Sequence, residues 1–340
     1  MKTEDFWYVV AESRELEPGV VLGRKVLGEW LAVFRDDRGK PAALRDRCMH
    51  RAGRLSKGTV ADGCLRCPYH GWTYDRDAQV VAVPAERENF QQTKGRRGQS
   101  FATMEQDGFV YVRLSAEPAV ELPPFKMPHY GEAGFKTVRL QNRFRNNVTN
   151  CAENFIDIPH TVFVHPGIFR KPRGQELTAK VVRTQGQVHA EYLGETSNLG
   201  WFSWFLNPKS KAIKHTDSFY MPNVTSVTYE FGPRRIFVIT SQSVPAADDE
   251  TLVYTDLTFD YGFFNFIAPL LVRWQSQKVI DQDLVALASQ MEVIEKYGSD
   301  FSNTAVDVIH VFVESIRTAL SEDQDPRALP DREVTVRFYV

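Results

Sequence analysis

The stretch RDRCMHRAGRLSKGTVADGCLRCPYHGW, Arg45 to Trp72, carries two cysteine–histidine pairs, Cys48/His50 and Cys67/His70, with sixteen residues between them. Two thiolates and two imidazoles are a donor set for tetrahedral zinc or for an iron–sulfur cluster. Zinc fingers usually place both cysteines in one knuckle and both histidines on a following helix. Here each short loop offers one of each. In a [2Fe–2S] cluster with mixed ligands, two thiolates hold one iron and two imidazoles the other. Two similar loops can grip such a rhomb from opposite sides. Gly53, Gly58 and Gly63 permit tight turns and close backbone approach. Cys64 has no place in the pairing and reads as a packed thiol.

Outward from this stretch the first third reads as β. Leu31–Phe34 and Ala42–Leu44 flank the turn Asp36-Asp37-Arg38-Gly39, and Phe101–Met104 and Phe109–Val112 flank Gln106-Asp107-Gly108. Four prolines between Ala116 and Pro128 mark a boundary, which gives domains at 1–117 and 118–340. Beyond it, Thr225–Phe231 and Arg235–Ser243 alternate like strands. Helical stretches follow at about Phe264–Lys296 and Thr304–Leu320, the second with Val306, Ile309, Val313 and Ile316 on one face, and Arg327–Val340 closes as a strand. Strands first and helices late argue for an α+β fold.

A second constellation is ENFIDIPHTVFVH, Glu153 to His165. His160 and His165 are five apart, which a continuous helix does not put on one face. Pro159 suggests an irregularity that lets His165 swing back toward His160. Two imidazoles and a carboxylate with open positions form the facial triad of non-haem Fe(II) oxygenases.

The motif C-x-H-R followed by C-P-Y-H-G-W, Cys48 to Trp72, resembles the Rieske signature. The spacing N-x-x-D-x-x-H-x-x-x-x-H at Asn154, Asp157, His160 and His165 is similar to the mononuclear iron motif of Rieske non-haem iron oxygenases. In organisation the whole chain resembles their shorter oxygenase components, of the vanillate and dicamba O-demethylase and toluenesulfonate methyl-monooxygenase type. That resemblance implies an N-terminal all-β Rieske domain and a helix-grip catalytic domain. It implies that Cys48 and Cys67 bind one iron of a [2Fe–2S] cluster and His50 and His70 the other. His160 and His165 then hold a mononuclear Fe(II) with a carboxylate from a late helix. WQSQKVIDQDLVALASQ, Trp274 to Gln290, fits that place: Asp283 aligns at the ligand position, with Asp281 as the reserve. Asp157 is implied to bond His160 and, across a subunit interface, His70 of a neighbour, which requires head-to-tail packing and a homotrimer. Asn154 sits near the iron.

Composition bounds the rest. Net charge is −2, the start places Glu4 and Asp5 where a signal peptide needs basic residues, and the apolar segment Tyr261–Val272 is too short to span a membrane. We therefore expect a soluble, cytoplasmic protein that binds neither nucleic acid nor membrane. Four cysteines without a leader favour metal ligation or buried thiols over disulfides. No G-x-G-x-x-G opens a helix, so NAD(P)H electrons must come through a separate reductase, with or without a ferredoxin. The aromatic cluster Trp201, Phe202, Trp204 and Phe205 reads as core before pocket. The basic runs Lys94–Arg97 and Arg170–Arg173 read as solvated loops before a docking site, and His129, His189, His215 and His310 have no motif context.

The function implied is O₂-dependent hydroxylation or demethylation of a small, aromatic substrate. Aromatic ring cis-dihydroxylation is the alternative within the class, and a Rieske electron carrier without oxygenase activity the alternative outside it.

Overall fold

A computed structural model describes residues 1–86, 96–168, 174, 176–195, 213–232 and 235–340. The aromatic cluster at Trp201–Phe205, Lys94-Gly95 and Arg170–Arg173 lie outside the described residues. Two compact units are present, one of Lys2–Lys126 with Pro245–Ala247, the other of Met1, Met127–Val244 and Asp248–Val340.

The first unit is built of strands. Its larger sheet has six, β1 (Tyr8–Glu12), β2 (Leu22–Val26), β3 (Glu29–Arg35), β4 (Pro41–Arg45), β9 (Ser100–Gln106) and β10 (Phe109–Arg113), in the order β1-β10-β9-β4-β3-β2. Both hairpins read from the turn signals are there: β3 pairs with β4 and β9 with β10, each antiparallel. The smaller sheet, β5 (Thr59–Ala61), β6 (Cys64–Arg66), β7 (Thr73–Tyr74) and β8 (Val80–Ala82), lies between β4 and β9 in sequence. A separate core of Phe34, Leu44, Leu55, Leu65, Tyr74 and Val80 packs against both cysteine loops.

In the second unit an eight-stranded antiparallel sheet carries helices late in the chain, the α+β arrangement. Its strands are β11 (Lys136–Phe144), β12 (Glu176–Thr184), β13 (Gln187–Leu193), β14 (Lys214–Tyr220), β15 (Val224–Glu230), β16 (Ile236–Ala247), β17 (Glu250–Phe259) and β18 (Arg332–Tyr339), ordered β11-β17-β16-β15-β14-β13-β12-β18. The last strand starts at Arg332 because Pro326–Ala328 forms a 3₁₀ turn capped by Asp325. Short helices α1 (Val148–Asn154) and α2 (His160–Val164) follow β11, and long helices α3 (Ala268–Tyr297) and α4 (Val308–Ser321) follow β17. In α4, Val313 and Ile316 are fully buried as the spacing indicates. Val306 falls instead in the preceding 3₁₀ turn and Ile309 is half-buried. The buried stripe runs through Val308, Phe312, Val313, Ile316 and Leu320. Among the described residues no helix is long and apolar enough to cross a membrane.

One buried side chain ties α1 to α3. Asn146, fully buried, donates from Nδ2 to the Leu287 carbonyl at 2.7 Å and to Gln290 Oε1 at 2.9 Å. Its Oδ1 accepts from the Asn147 N–H and from Asn150 Nδ2, both at 2.8 Å. Asn147 in turn caps α1 by accepting the Asn150 N–H. Removing a buried partner strands the groups it served. Asn146→Ala should therefore cost about 2–4 kcal/mol in chemical denaturation; a loss under about 0.5 kcal/mol would show that water replaces the amide and that this tie does not hold the helices.

Candidate metal centres

In the first unit, Asp46 sets the entry to the Cys48 loop: its buried carboxylate accepts from Ser56 N–H and Ser56 Oγ, both at 2.6 Å, and from Arg54 Nε at 2.9 Å. Each cysteine then closes a tight loop. The Cys48 N–H donates to the Gly53 carbonyl, and the Cys67 N–H to that of Trp72, both at 2.8 Å. Cys48 and Cys67 are each 2% exposed, whereas His50 is half-buried and His70 exposed. The two imidazoles lie with ring centroids 4.5 Å apart, and the His50 ring stacks on Trp72.

These residues fit a two-iron cluster. His50 Nδ1 is buried with no hydrogen-bond partner. A Cβ on Gly53 would stand 3.1 Å from Cys67 Sγ, so only glycine leaves that side of the sulfur open. Gly63, at φ +69° beside the backbone of Asp37, makes the turn between β5 and β6. Burial pushes the Cys67 thiol above its ordinary value, and the Tyr69 and His70 N–H groups offset part of that. Tyr74 Oη accepts the Met49 N–H at 3.0 Å, which leaves its own proton for Cys48 Sγ at 3.2 Å. Cys64 pairs with Ala61 across the β5–β6 turn, half-buried.

In the second unit the chain breaks between α1 and α2. Pro159 is the N-cap of α2 and does not kink a helix between the two histidines. What returns His165 toward His160 is the end of α2 at Val164: His165 has left helical geometry, with φ −117° and ψ 57°. The expected irregularity is real but lies on either side of the helix. Asp157 Oδ2 accepts both the His160 N–H and His160 Nδ1, each at 3.1 Å, so it caps α2 and fixes the ring together.

Asp283 comes from α3, on the buried stripe of Val272, Gln275, Ile280, Asp283, Leu287 and Met291. Two residues away, Asp281 points outward, exposed, and accepts from Gln277 Nε2. The steps from Ile280 to Asp283 to Leu287, three residues and then four, keep Asp283 on the buried face, and Asp281 falls off it. His160, His165 and Asp283 offer ligand atoms all within 4.8 Å of one another.

The groups beside these rings are acceptors and favour a proton on each Nδ1. His160 Nδ1–H points to Asp157, and His165 Nδ1–H to Gln282 Oε1 at 2.9 Å. Gln282 was not singled out from the sequence. Both Nε2 lone pairs are left facing Asp283 Oδ1, at 3.7 Å for His160 and 3.1 Å for His165. Asp283 Oδ1 is itself buried with no hydrogen bond. Ligands around a first-row ion sit about 3 Å apart. Burial opposes charge on His165, yet the Asp283 carboxylate beside it raises its pKa above the ordinary value.

The triad opens on a cavity of about 130 Å³, walled on the sheet side by residues such as Val227, Phe237, Ile239 and Leu257. Asn154 lines it too, its Nδ2 buried and unpartnered. Lys and Arg are absent among the described lining residues.

Asp283→Ala should lower iron from about three to about two per chain while the cluster's visible spectrum stays unchanged, and Asp281→Asn should leave both intact. Loss of the spectrum in the first variant, or of iron in the second, contradicts the assignment. Tyr74→Phe removes one hydrogen bond to a ligand sulfur, worth about 1 kcal/mol, and should lower the cluster potential by about 40 mV for a one-electron couple. An unchanged potential in redox titration would mean that the hydroxyl does not donate to Cys48.

Residues 6–103 match the family profile of the Rieske [2Fe-2S] domain, and residues 144–322 that of the vanillate O-demethylase oxygenase C-terminal domain. The oxygenase component of dicamba O-demethylase from Stenotrophomonas maltophilia is 30% identical over 187 residues, 54% of each chain. Methylxanthine N1-demethylase from Pseudomonas putida is 33% identical over 180 residues, half of each. Chlorophyllide a oxygenase of Chlamydomonas reinhardtii is 31% identical over 171 residues, 49% of this chain and 25% of that one. The matched segments span between about a quarter and just over a half of the curated relatives. Over 94% of this chain and 98% of the other, the fold superposes on dicamba monooxygenase bound to dicamba with a TM-score of 0.81 at 22% identity. With the second profile covering more than half of its length, the chain belongs to the Rieske-type oxygenase components that carry the vanillate O-demethylase C-terminal domain.

Proposed function

We propose that the chain is the terminal oxygenase component of a multicomponent monooxygenase that hydroxylates or demethylates, at an O- or N-methyl group, a small aromatic substrate. The observation that carries this reading is the convergence of two imidazole lone pairs and one carboxylate oxygen, with no proton between them in the ligating state, at the mouth of an apolar cavity. A stand-alone electron carrier has no use for such a site.

Iron bound there would supply O₂ activation, with electrons from a [2Fe–2S] cluster on Cys48, His50, Cys67 and His70. The chain's own residues do the rest. Asp157 and Gln282 hold the two imidazoles in the tautomer that leaves Nε2 free. The apolar wall positions a ring and excludes water from it. A cavity near 130 Å³ is on the scale of one that binds benzene, which favours a single-ring substrate.

Electrons derived from NAD(P)H would arrive through a separate reductase, with or without a ferredoxin. The family's path between subunits joins His70 of one copy to Asp157 of the next. His70 is exposed and the Asp157 side chain 43% exposed, so both are available to such a contact in a homotrimer. Phe263, Phe266 and Leu270, each more than 70% exposed, form an apolar surface that self-association could also cover.

Demethylation balances as ArO–CH₃ + O₂ + 2e⁻ + 2H⁺ → ArOH + HCHO + H₂O. Purified protein with NADH and a surrogate reductase, given methoxy-, N-methyl- and unsubstituted aromatics, should release formaldehyde and a product lighter by one methylene. A product that gains both oxygen atoms without formaldehyde would make the enzyme a ring dioxygenase, and iron at about two per chain with no turnover would make it a carrier.

A further inference from the structure

The sheet side of the cavity is ordered in rows across the strands. His215 pairs with Tyr229 and Tyr229 with Phe237; Asp217 pairs with Val227 and Val227 with Ile239; Thr225 pairs with Ser241, whose hydroxyl meets Thr255 Oγ1 at 3.1 Å. All of these line the cavity. His215 and Asp217, two apart on β14, share its inner face and are 1% and 3% exposed. A buried carboxylate thus stands in a row otherwise of valine and isoleucine.

Such a carboxylate needs a partner. His215 Nε2 lies 2.9 Å from Asp217 Oδ1, and His215 Nδ1 lies 2.7 Å from Glu195 Oε2, whose side chain is 2% exposed. A neutral imidazole donates only once, so satisfying both contacts requires the imidazolium. Tyr229 stacks on the ring at 4.2 Å and Tyr192 lies 4.7 Å away, faces that favour a cation. Although burial opposes the charge, Asp217 and Glu195 push His215 up to about 9. Both N–H groups of the ring are engaged, so His215 cannot receive an anion, and the cavity wall holds no Lys or Arg among the described residues.

We infer that the His215–Asp217–Glu195 cluster makes the cavity selective for a ring substrate carrying an ammonium or amine N–H donor directed at Asp217, against one carrying a carboxylate. This rests on the reading of the cavity as the substrate site, and it narrows the substrate class. Asp217 is the specificity-determining residue; His215 holds it through Nε2, and Glu195 holds His215 through Nδ1.

The test is binding, not turnover, so that it does not depend on the oxygenase reaction. Iron-loaded protein is titrated calorimetrically with 4-methoxybenzylamine, 4-methoxybenzyl alcohol and 4-methoxybenzoate, which match in shape and differ in charge. The ammonium should bind at least tenfold tighter than the carboxylate, with the alcohol between. In Asp217→Asn the preference should fall to threefold or less while the alcohol's affinity holds. Glu195→Gln, which leaves the cavity lining in place, should shrink it part-way and decides the matter alone if the first variant does not fold. Equal binding in the wild type, tighter benzoate, no binding of the ammonium, or a preference untouched in the folded variants overturns the inference. Formaldehyde release without the ammonium preference refutes this inference and leaves the oxygenase reading standing; the preference without turnover does the reverse.

Discussion

Three electron pairs aimed at one point, from His160 Nε2, His165 Nε2 and Asp283 Oδ1, are the constraint on which the catalytic unit depends. Such an arrangement is repulsive in itself, and the rest of the unit must hold it. Asp157 spends one carboxylate oxygen on both the first N–H of α2 and the His160 ring. Gln282, next to Asp283 on α3, fixes the His165 ring, so a single helix supplies one candidate ligand and the orienter of another. Asn146 binds that helix to α1 through buried hydrogen bonds. Preorganisation of this kind keeps the candidate ligand atoms at metal-bearing spacing.

The same physics appears with opposite sign behind the cavity. At the candidate metal triad, converging acceptors suit a cation from outside; in the His215 cluster the cation is a protonated side chain between two carboxylates. Both are buried, and burial makes an unpaired charge costly. The difference lies in the remaining proton. His165 has its outer nitrogen on a neutral amide oxygen, whereas both nitrogens of His215 face carboxylates.

Much of this was legible along the chain because its signals are local. Turn residues flanked by apolar runs gave the β3–β4 and β9–β10 hairpins, and the paired Cys-x-His and Cys-x-x-His loops marked their own unit. Other features were legible only in part. The spacing gives the buried face of α4 at Val313 and Ile316 but starts the helix one turn early, because Val306 looks helical by spacing while Thr304 and Asp307 cap a 3₁₀ turn there. The break that brings His165 to His160 was attributed to Pro159, although a proline fits the first turn of a helix without bending it.

The sequence by itself determined the donor sets and their spacing and the α+β order of elements, and it left Asp281 and Asp283 both open on α3, where burial sends Asp283 inward and Asp281 to solvent. These depend on periods of two and about four residues, which a linear reading carries. The roles of Gln282, Asn146 and the Glu195–His215–Asp217 cluster were decided only by tertiary structure. His215 lies in a strand with no motif, and its partners are fixed by register between β13, β14 and β15. Whether a buried charge is tolerated depends on what long-range packing sets beside it, and no local pattern encodes that.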